Sequence, residues 1–261
     1  MILQHPQLSS FNYFSDDRHF YLLTHYAAGG LQQIYQYAAN KSLEFLYIET
    51  ALKDMLEYSP VLIKVDESDP ILERFIENNQ NQQDWSGILI SVAAQTTLLE
   101  LIAHLRNRMN ISFGTQRKGL LHFQNPFVLS YLLAESNSED NANWLGMIKS
   151  MECYDHRFSS AQKQWLLFDN EHANRANLTP EWLLTISQQH ALELMFDDKQ
   201  IQQCFDLLND KNMHFDVTRI FEYRRWYKQA EIEGMSSQSD IARYFYQQRL
   251  VQQEAIVNGN G

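Results

Sequence analysis

The chain has 261 residues, of which 44% are hydrophobic and 13% aromatic, which excludes wholesale disorder and suits one large domain or two modest ones. Its 32 acidic and 21 basic side chains give a net charge of -11, which argues against nucleic acid as a partner because phosphate backbones bind broad positive surfaces. The two cysteines lie outside any paired or metal-type spacing, and no secretory leader or membrane-length apolar run is visible, so we expect a cytoplasmic protein without membrane contacts.

Three short apolar segments in the first half predict β-strands, because they are rich in β-branched and aromatic side chains. They cover residues 43–48, 61–65 and 87–92. Between the second and third segments, Asp69 followed by Pro70 predicts a helix start. Aspartate caps free backbone N–H groups there, and proline fits the first turn of a helix.

The clearest predicted helix covers residues 97–109, where leucines and isoleucines recur along one face. Thr97 and Glu100 stand at the spacing of a capping box. The same pattern places His104, Arg106 and Arg108 on or beside the solvent side of this helix. A hairpin is predicted next, with strands at residues 111–113 and 120–123, and Asn125 then begins another helix.

Beyond the polar stretch at residues 171–177, the sequence predicts only helices. One begins near Thr179, a second begins at Asp198, a third runs from about residue 216 to residue 233, and Ser237 with Asp240 caps a fourth. We therefore predict an α+β (mixed α/β) protein. It has a small mixed β-sheet domain with flanking helices at residues 1–175, followed by an all-helical C-terminal lobe at residues 176–261.

Motifs of enzymes give no clear signal. The sequence contains no nucleophile elbow, no phosphate-binding loop and no His-Glu-x-x-His, and no two histidines stand at the helical spacing that a metal pair requires. We expect no catalytic residue, no metal and no cofactor. The alternative is a hydrolase or other enzyme encoded in a secretion gene cluster, whose site would be assembled from distant residues.

Several segments between residues 45 and 156 resemble, in order, the N-terminal domain of type VI secretion adaptor proteins, also called effector chaperones. The matching segments are FLYIE at 45–49, YSPVLIKV at 58–65, WSGILIS at 85–91, LLELIAHLR at 98–106 and LHFQNPFVL at 121–129. Within them, the family positions that we single out as structural are Glu49, Pro60, Trp85, His122, Asn125 and Pro126.

The last segment departs from the family pattern at three positions. His122, Asn125 and Phe127 stand where the family usually has arginine, aspartate and arginine. Asparagine caps a helix as aspartate does, so the fold is expected to survive. The resemblance implies a non-catalytic role, in which the protein binds a particular secreted effector, or toxin, and helps to load it onto the secreted spike protein.

An adaptor needs aromatic and arginine anchors, and one predicted helix offers both. The candidate partner-binding residues are Arg219, Tyr223, Arg224, Arg225, Trp226, Tyr227 and Lys228. Two interpretations remain open: a partner-binding surface, or a core-packed aromatic face with a solvated basic face. A solvated basic face predicts that charge reversal at Arg224 and Arg225 leaves the stability of the protein unchanged.

Overall fold

The computed structural model of the chain describes residues 2–5, 14–25, 30–81, 85–114, 117–160, 163–171, 173, 181–208 and 214–259. The chain forms two compact units. The sheet unit comprises Met1–His156 and Lys163–Ala191, and the helical unit comprises Arg157–Gln162 and Leu192–Gly261. Within the described residues, no helix has both the length and the apolar character that a bilayer crossing requires.

A seven-stranded sheet forms the centre of the sheet unit. Its strands are β1 (Ile2–His5), β2 (Arg18–His25), β3 (Leu43–Phe45), β4 (Val61–Val65), β5 (Ser86–Ala93), β8 (Ile148–Tyr154) and β9 (Trp165–Asp169), in the order β1-β9-β8-β5-β2-β4-β3. All of their pairings are antiparallel. The central strands β5 and β2 are buried along most of their length.

Two helices cover one face of this sheet. Helix α1 (Gly30–Tyr37) contributes Ile34, and helix α2 (Ile71–Asn81) contributes Ile71 and Phe75, to a core shared with Phe20 and Ile63 of the sheet. Asp69 caps α2, because its side chain accepts a hydrogen bond of 3.2 Å from the Ile71 amide.

A smaller, three-stranded sheet and three helices complete the sheet unit. Its strands are β6 (Asn110–Phe113), β7 (Arg117–Leu120) and β10 (Trp182–Leu183), and its helices are α3 (Leu98–Met109), α4 (Pro126–Ala134) and α5 (Ser138–Leu145). Strands β6 and β7 form an antiparallel hairpin, and β10 pairs with β6 in parallel. Helices α4 and α5 pack on β8 of the large sheet.

The helical unit is built from amphipathic helices around an aromatic core. Helix α6 (Ile186–Leu208) crosses from one unit into the other, and a 3-10 turn (Val217–Arg219) leads into α7 (Ile220–Ile232), which is followed by α8 (Gln238–Gly259). The core residues include Ile201, Phe205, Tyr223 and Phe245.

The α+β class is confirmed, and several local predictions are confirmed with it. Thr97 and Glu100 form the capping box of α3, with hydrogen bonds of 3.2 Å and 2.9 Å. Asn125 caps α4 by accepting a hydrogen bond of 3.0 Å from the Phe127 amide. Gly234, with φ at 81°, follows the end of α7 as a left-handed residue.

Other predictions about the elements are wrong. The first predicted strand ends at Phe45 rather than at residue 48, and the second hairpin strand is Arg117–Leu120. Strands β1, β2, β8, β9 and β10 were not predicted, so the large sheet has more strands than expected. No helix begins at Asp198, because α6 continues through it. The helix start predicted at Thr179 lies outside the described residues.

The domain boundary predicted between residues 175 and 176 stays a prediction about independent folding. The compact units of the structure divide within α6, between Ala191 and Leu192. Strand β10 and the first turns of α6 therefore belong to the sheet unit.

Candidate partner-binding surfaces

Helix α7 carries the residues that the sequence singled out for partner binding. Asp216 caps the 3-10 turn that precedes it, by accepting a hydrogen bond of 3.0 Å from the Thr218 amide. The periodicity of the segment then separates two faces, as an amphipathic helix requires. One face holds the aromatic side chains, and the other holds cations and two apolar residues.

The aromatic face of α7 is packed inside the helical unit. Tyr223, Trp226 and Tyr227 are buried. The Tyr223 ring lies 4.5 Å from the ring of Phe205, and the Trp226 ring lies 5.9 Å from that of Phe245. These rings form the core of the helical unit, so they are not exposed for a partner to contact. Of the two interpretations left open by the sequence, the core-packed aromatic face is the one that fits Tyr223, Trp226 and Tyr227.

Most of the cations on α7 are paired within the helical unit. Arg224 donates two hydrogen bonds, of 2.7 Å and 2.6 Å, to the carboxylate of Asp198, a residue with no exposed surface. Lys228 lies 2.8 Å from a carboxylate oxygen of Asp197. Arg219 pairs with Glu222, and their closest atoms are 2.6 Å apart.

These ion pairs correct two expectations. The basic cluster is not a solvated field of four positive charges, because carboxylates neutralise Arg219, Arg224 and Lys228. Charge reversal at Arg224 will also not leave stability unchanged, since it would place a second carboxylate against buried Asp198.

The outward side of α7 remains accessible. Phe221 is 70% exposed and Ile232 is 78% exposed, at positions i and i+11 of the same helical face. Arg225 and Lys228 lie between them on that face and are exposed. We call these four residues the outer α7 face; it extends about 16 Å along the helix. Among the described residues, Arg225 has no carboxylate within ion-pair distance.

Most of the residues that the sequence singled out as structural family positions contribute to the fold of the sheet unit. Trp85 is buried, and its indole N–H donates a 3.0 Å hydrogen bond to Gln33. A Cβ atom at Gly30 would approach the Trp85 Cβ to 3.0 Å, so this helix start fits closely against the indole. Pro60 is buried beside β4, and Pro126 occupies the first turn of α4.

His122 and Glu49 are the exposed members of that set. The ring of His122 lies 3.2 Å from the side-chain nitrogen of Gln124. Glu49 has a positive φ of 58°, so the backbone turns at the position where the sequence predicted the end of a strand. Its carboxylate lies 4.0 Å from the guanidinium of Arg106.

Sequence reasoning placed His104 and Arg108 at the solvent side of α3, and the structure buries both. Arg108 donates a 2.6 Å hydrogen bond to the carbonyl of Trp144, at the end of α5, and its guanidinium lies 4.0 Å from the ring of Trp182. Burial lowers the pKa of Arg108 to about 10. Burial and the adjacent Arg108 charge lower the pKa of His104 to about 3.

An open cleft of about 420 Å³ lies on the sheet unit, between the large sheet and the start of α3. His19, Tyr21, Glu44 and Lys64 line it together with the turn before α3. No group of three metal-ligating side chains occurs among the described residues. Both cysteines are buried thiols, and burial raises the pKa of Cys204 to about 11.

One comparison with known proteins gave a match. The model of the family described as a domain of unknown function, DUF4123, matches residues 21–143, which is a little under half of the chain. The matched range runs from β2 through most of α5 and lies within the sheet unit. Neither the comparison with curated proteins nor that with solved structures gave a match.

Proposed function

We propose that this protein is an adaptor, or chaperone, that binds a specific type VI secretion effector and helps to load it onto the spike protein, without catalysis. The observation that carries the proposal is the family match over residues 21–143, because that domain family is associated with type VI secretion adaptor proteins. The order of the motifs between residues 45 and 129 supports the same assignment.

The outer α7 face is the effector contact that we propose for the helical unit. Phe221 and Ile232 supply exposed apolar area, and Arg225 supplies a charge between them that no carboxylate of the described residues pairs. Arginine beside apolar side chains is a frequent source of binding energy in protein interfaces. Tyr223, Trp226 and Tyr227 support this surface from inside, because they hold α7 against the core.

The proposal is tested by isothermal titration calorimetry of the full-length protein against the effector and the spike protein encoded beside its gene, each purified separately. We expect at least one of the two to bind. Arg225→Glu should weaken effector binding by about 2–5 kcal/mol if the arginine is desolvated in the complex. If Arg225 lies at the rim, the loss should be small and should fade as salt is added. Absence of binding by both proteins would reject the adaptor function.

The enzyme alternative is tested by His122→Ala. The ring is exposed, so removing it should alter folding little, and secretion of the effector should continue. A folded, partner-bound variant that has lost all function would favour a chemical role for this histidine.

A further inference from the structure

The connection between β3 and β4, residues 46–59, exposes a concentration of large apolar side chains. Ile48 is 41% exposed, Met55 49%, Leu56 37% and Tyr58 46%. The last three belong to a 3-10 helix (Lys53–Tyr58) that has no buried residue. Apolar side chains clustered in this way on a surface mark interaction sites, whereas single exposed apolar residues are ordinary. We call residues 46–59 the apolar loop.

The base of the apolar loop is tied to the sheet unit. Leu46 and Tyr47 are buried, and the carbonyl of Leu46 accepts a 2.9 Å hydrogen bond from Arg106 of α3. The Tyr47 amide donates a 3.0 Å hydrogen bond to the hydroxyl of Ser59, which lies at the other end of the loop. Both ends are therefore held in place, which reduces the conformational entropy that the loop loses when a partner binds.

The charges around the apolar side chains are mainly negative. Glu49, Asp54 and Glu57 are exposed, and Lys53 is the only cation in the loop sequence. Arg106 approaches Glu49 to 4.0 Å, but the Glu49 side chain remains 84% exposed. The sheet unit as a whole has 12 basic and 21 acidic residues, a net charge of -9. Its field attracts basic surfaces and repels acidic ones.

We propose that the apolar loop is a docking site for a protein partner with an apolar pocket rimmed by lysine and arginine. The three carboxylates would steer that partner, and Met55, Leu56 and Tyr58 would enter its pocket. A second copy of this chain is a poorer occupant, because two chains of charge -11 repel each other. The inference rests on the proposed adaptor function and names one of the surfaces that this function uses.

The first experiment places a photo-crosslinking amino acid at Tyr58 of the full-length protein in its native cells. We expect one adduct with another protein, whose crosslinked peptide contains lysine or arginine. Reversing the loop charges with Asp54→Lys and Glu57→Lys should reduce the adduct at least tenfold. No adduct, an adduct with the mass of a second copy, or an adduct unchanged by charge reversal would overturn the proposal.

The second experiment measures affinity for the purified effector and spike protein with the double variant Met55→Ser, Leu56→Ser. Its matched control is Leu183→Ser, Ile186→Ser, which removes two exposed apolar side chains elsewhere in the sheet unit. We expect the loop variant to weaken binding of one of the two proteins at least tenfold, and the control variant to bind like the wild type.

The two proposals fail in different ways. If the effector or the spike protein binds the wild type and the loop variant equally, the adaptor function stands and the docking site is wrong. If neither protein binds but the Tyr58 adduct forms and depends on the loop charges, the docking site stands and its partner lies outside type VI secretion.

Discussion

Each unit contains an arginine that is buried or half-buried, and the two arginines are compensated in different ways. In the helical unit, the Arg224 guanidinium meets the buried carboxylate of Asp198, so charge is matched by charge. In the sheet unit, buried Arg108 donates to the carbonyl of Trp144 and stacks on Trp182 instead. Asn170 likewise uses backbone carbonyls, donating to Gly146 and Ile148.

The same contrast extends to the surface charge. The helical unit has 9 basic and 11 acidic residues, a net charge of -2, against -9 for the sheet unit. The helical unit pairs Arg219, Arg224 and Lys228 internally, whereas most of the described acidic groups of the sheet unit are at least partly exposed. Long-range attraction of a basic partner therefore belongs to the sheet unit, and sensitivity to the loss of a single charge belongs to the helical unit.

The largest expected effect is a difference in stability between fragments 1–191 and 1–175, which differ in where the sheet unit ends. The shorter fragment lacks buried Leu184, the 2.9 Å hydrogen bond from its amide to Ser112, and the Trp182 ring on Arg108. Together these contacts contribute about 5 kcal/mol, so 1–191 should be more stable by roughly that amount. Urea unfolding followed by circular dichroism measures the difference. Equal stabilities would support the boundary predicted at residue 175.

The next effect concerns two adjacent arginines of α7. Arg224→Ala leaves the carboxylate of Asp198 buried without its cation, so the free energy of unfolding should fall by about 4 kcal/mol. Arg225→Ala is the matched control and should change it by no more than about 0.5 kcal/mol. Thermal and urea unfolding of the full-length variants measure both. If the two variants lose equal stability, charge pairing is not what distinguishes the helical unit.

Acid should act on the sheet unit through two histidines, of which His104 is buried and His156 is half-buried. The folded-state pKa is about 3 for His104, lowered by burial and Arg108, and about 4 for His156, lowered by burial and Lys163. An unfolded histidine titrates near pH 6.5, so on acidification the unfolded state takes up protons first and the folded state loses stability. The free energy of unfolding should fall by ~1.4 kcal/mol per pH unit for each histidine, or by ~2 kcal/mol for each between pH 6.5 and pH 5.

The control for acid sensitivity is His104→Met. Methionine is apolar and suits a helix, so it should remove the contribution of His104 to the pH dependence and keep that of His156. Denaturant unfolding at several pH values between 5 and 7 measures the slope. An unchanged slope would show that His104 does not carry the acid sensitivity of the sheet unit.

The smallest effect tests a local feature of the sheet unit. Thr97→Ala removes one half of the capping box of α3 and should lower the free energy of unfolding by about 1 kcal/mol. Thr97→Ser keeps the hydroxyl and should restore nearly all of the loss. Chemical denaturation of the two variants measures both free energies of unfolding. A serine variant as unstable as the alanine variant would argue against capping.

Elements with local signals were predicted well from the sequence. The caps at Asp69, Thr97 and Asn125 act within three residues of themselves, so their effect is visible in the chain alone. Strand β2 was missed, although it lies between β4 and β5, because its partners are distant in sequence. Asp198 was taken as a helix start, since its true role depends on Arg224, which lies 26 residues away.

The candidate site was only partly predictable for the same reason. The spacing of residues 219–228 indicated two faces of one helix, but local periodicity does not say which face the rest of the protein covers. The core formed by Phe205 and Phe245 selects the aromatic face. Residues 49–59 of the apolar loop lie between two predicted strands and carried no predicted element, so their exposure became visible only in the structure.

The pairing of β1 with β9 has a consequence for synthesis of the chain. Ile2 lies opposite Phe168, and His5 lies opposite Trp165, so the partners are separated by 160 to 166 residues. A ribosome adds roughly 5–20 residues per second, so β1 waits about 10–30 s before β9 has been made. Strand β8, which lies next to β9 in the sheet, ends at Tyr154 and is therefore completed only shortly before β9. Until β9 has been made, the nascent chain therefore has an unfinished sheet, and a cellular factor that binds open strands would meet it then.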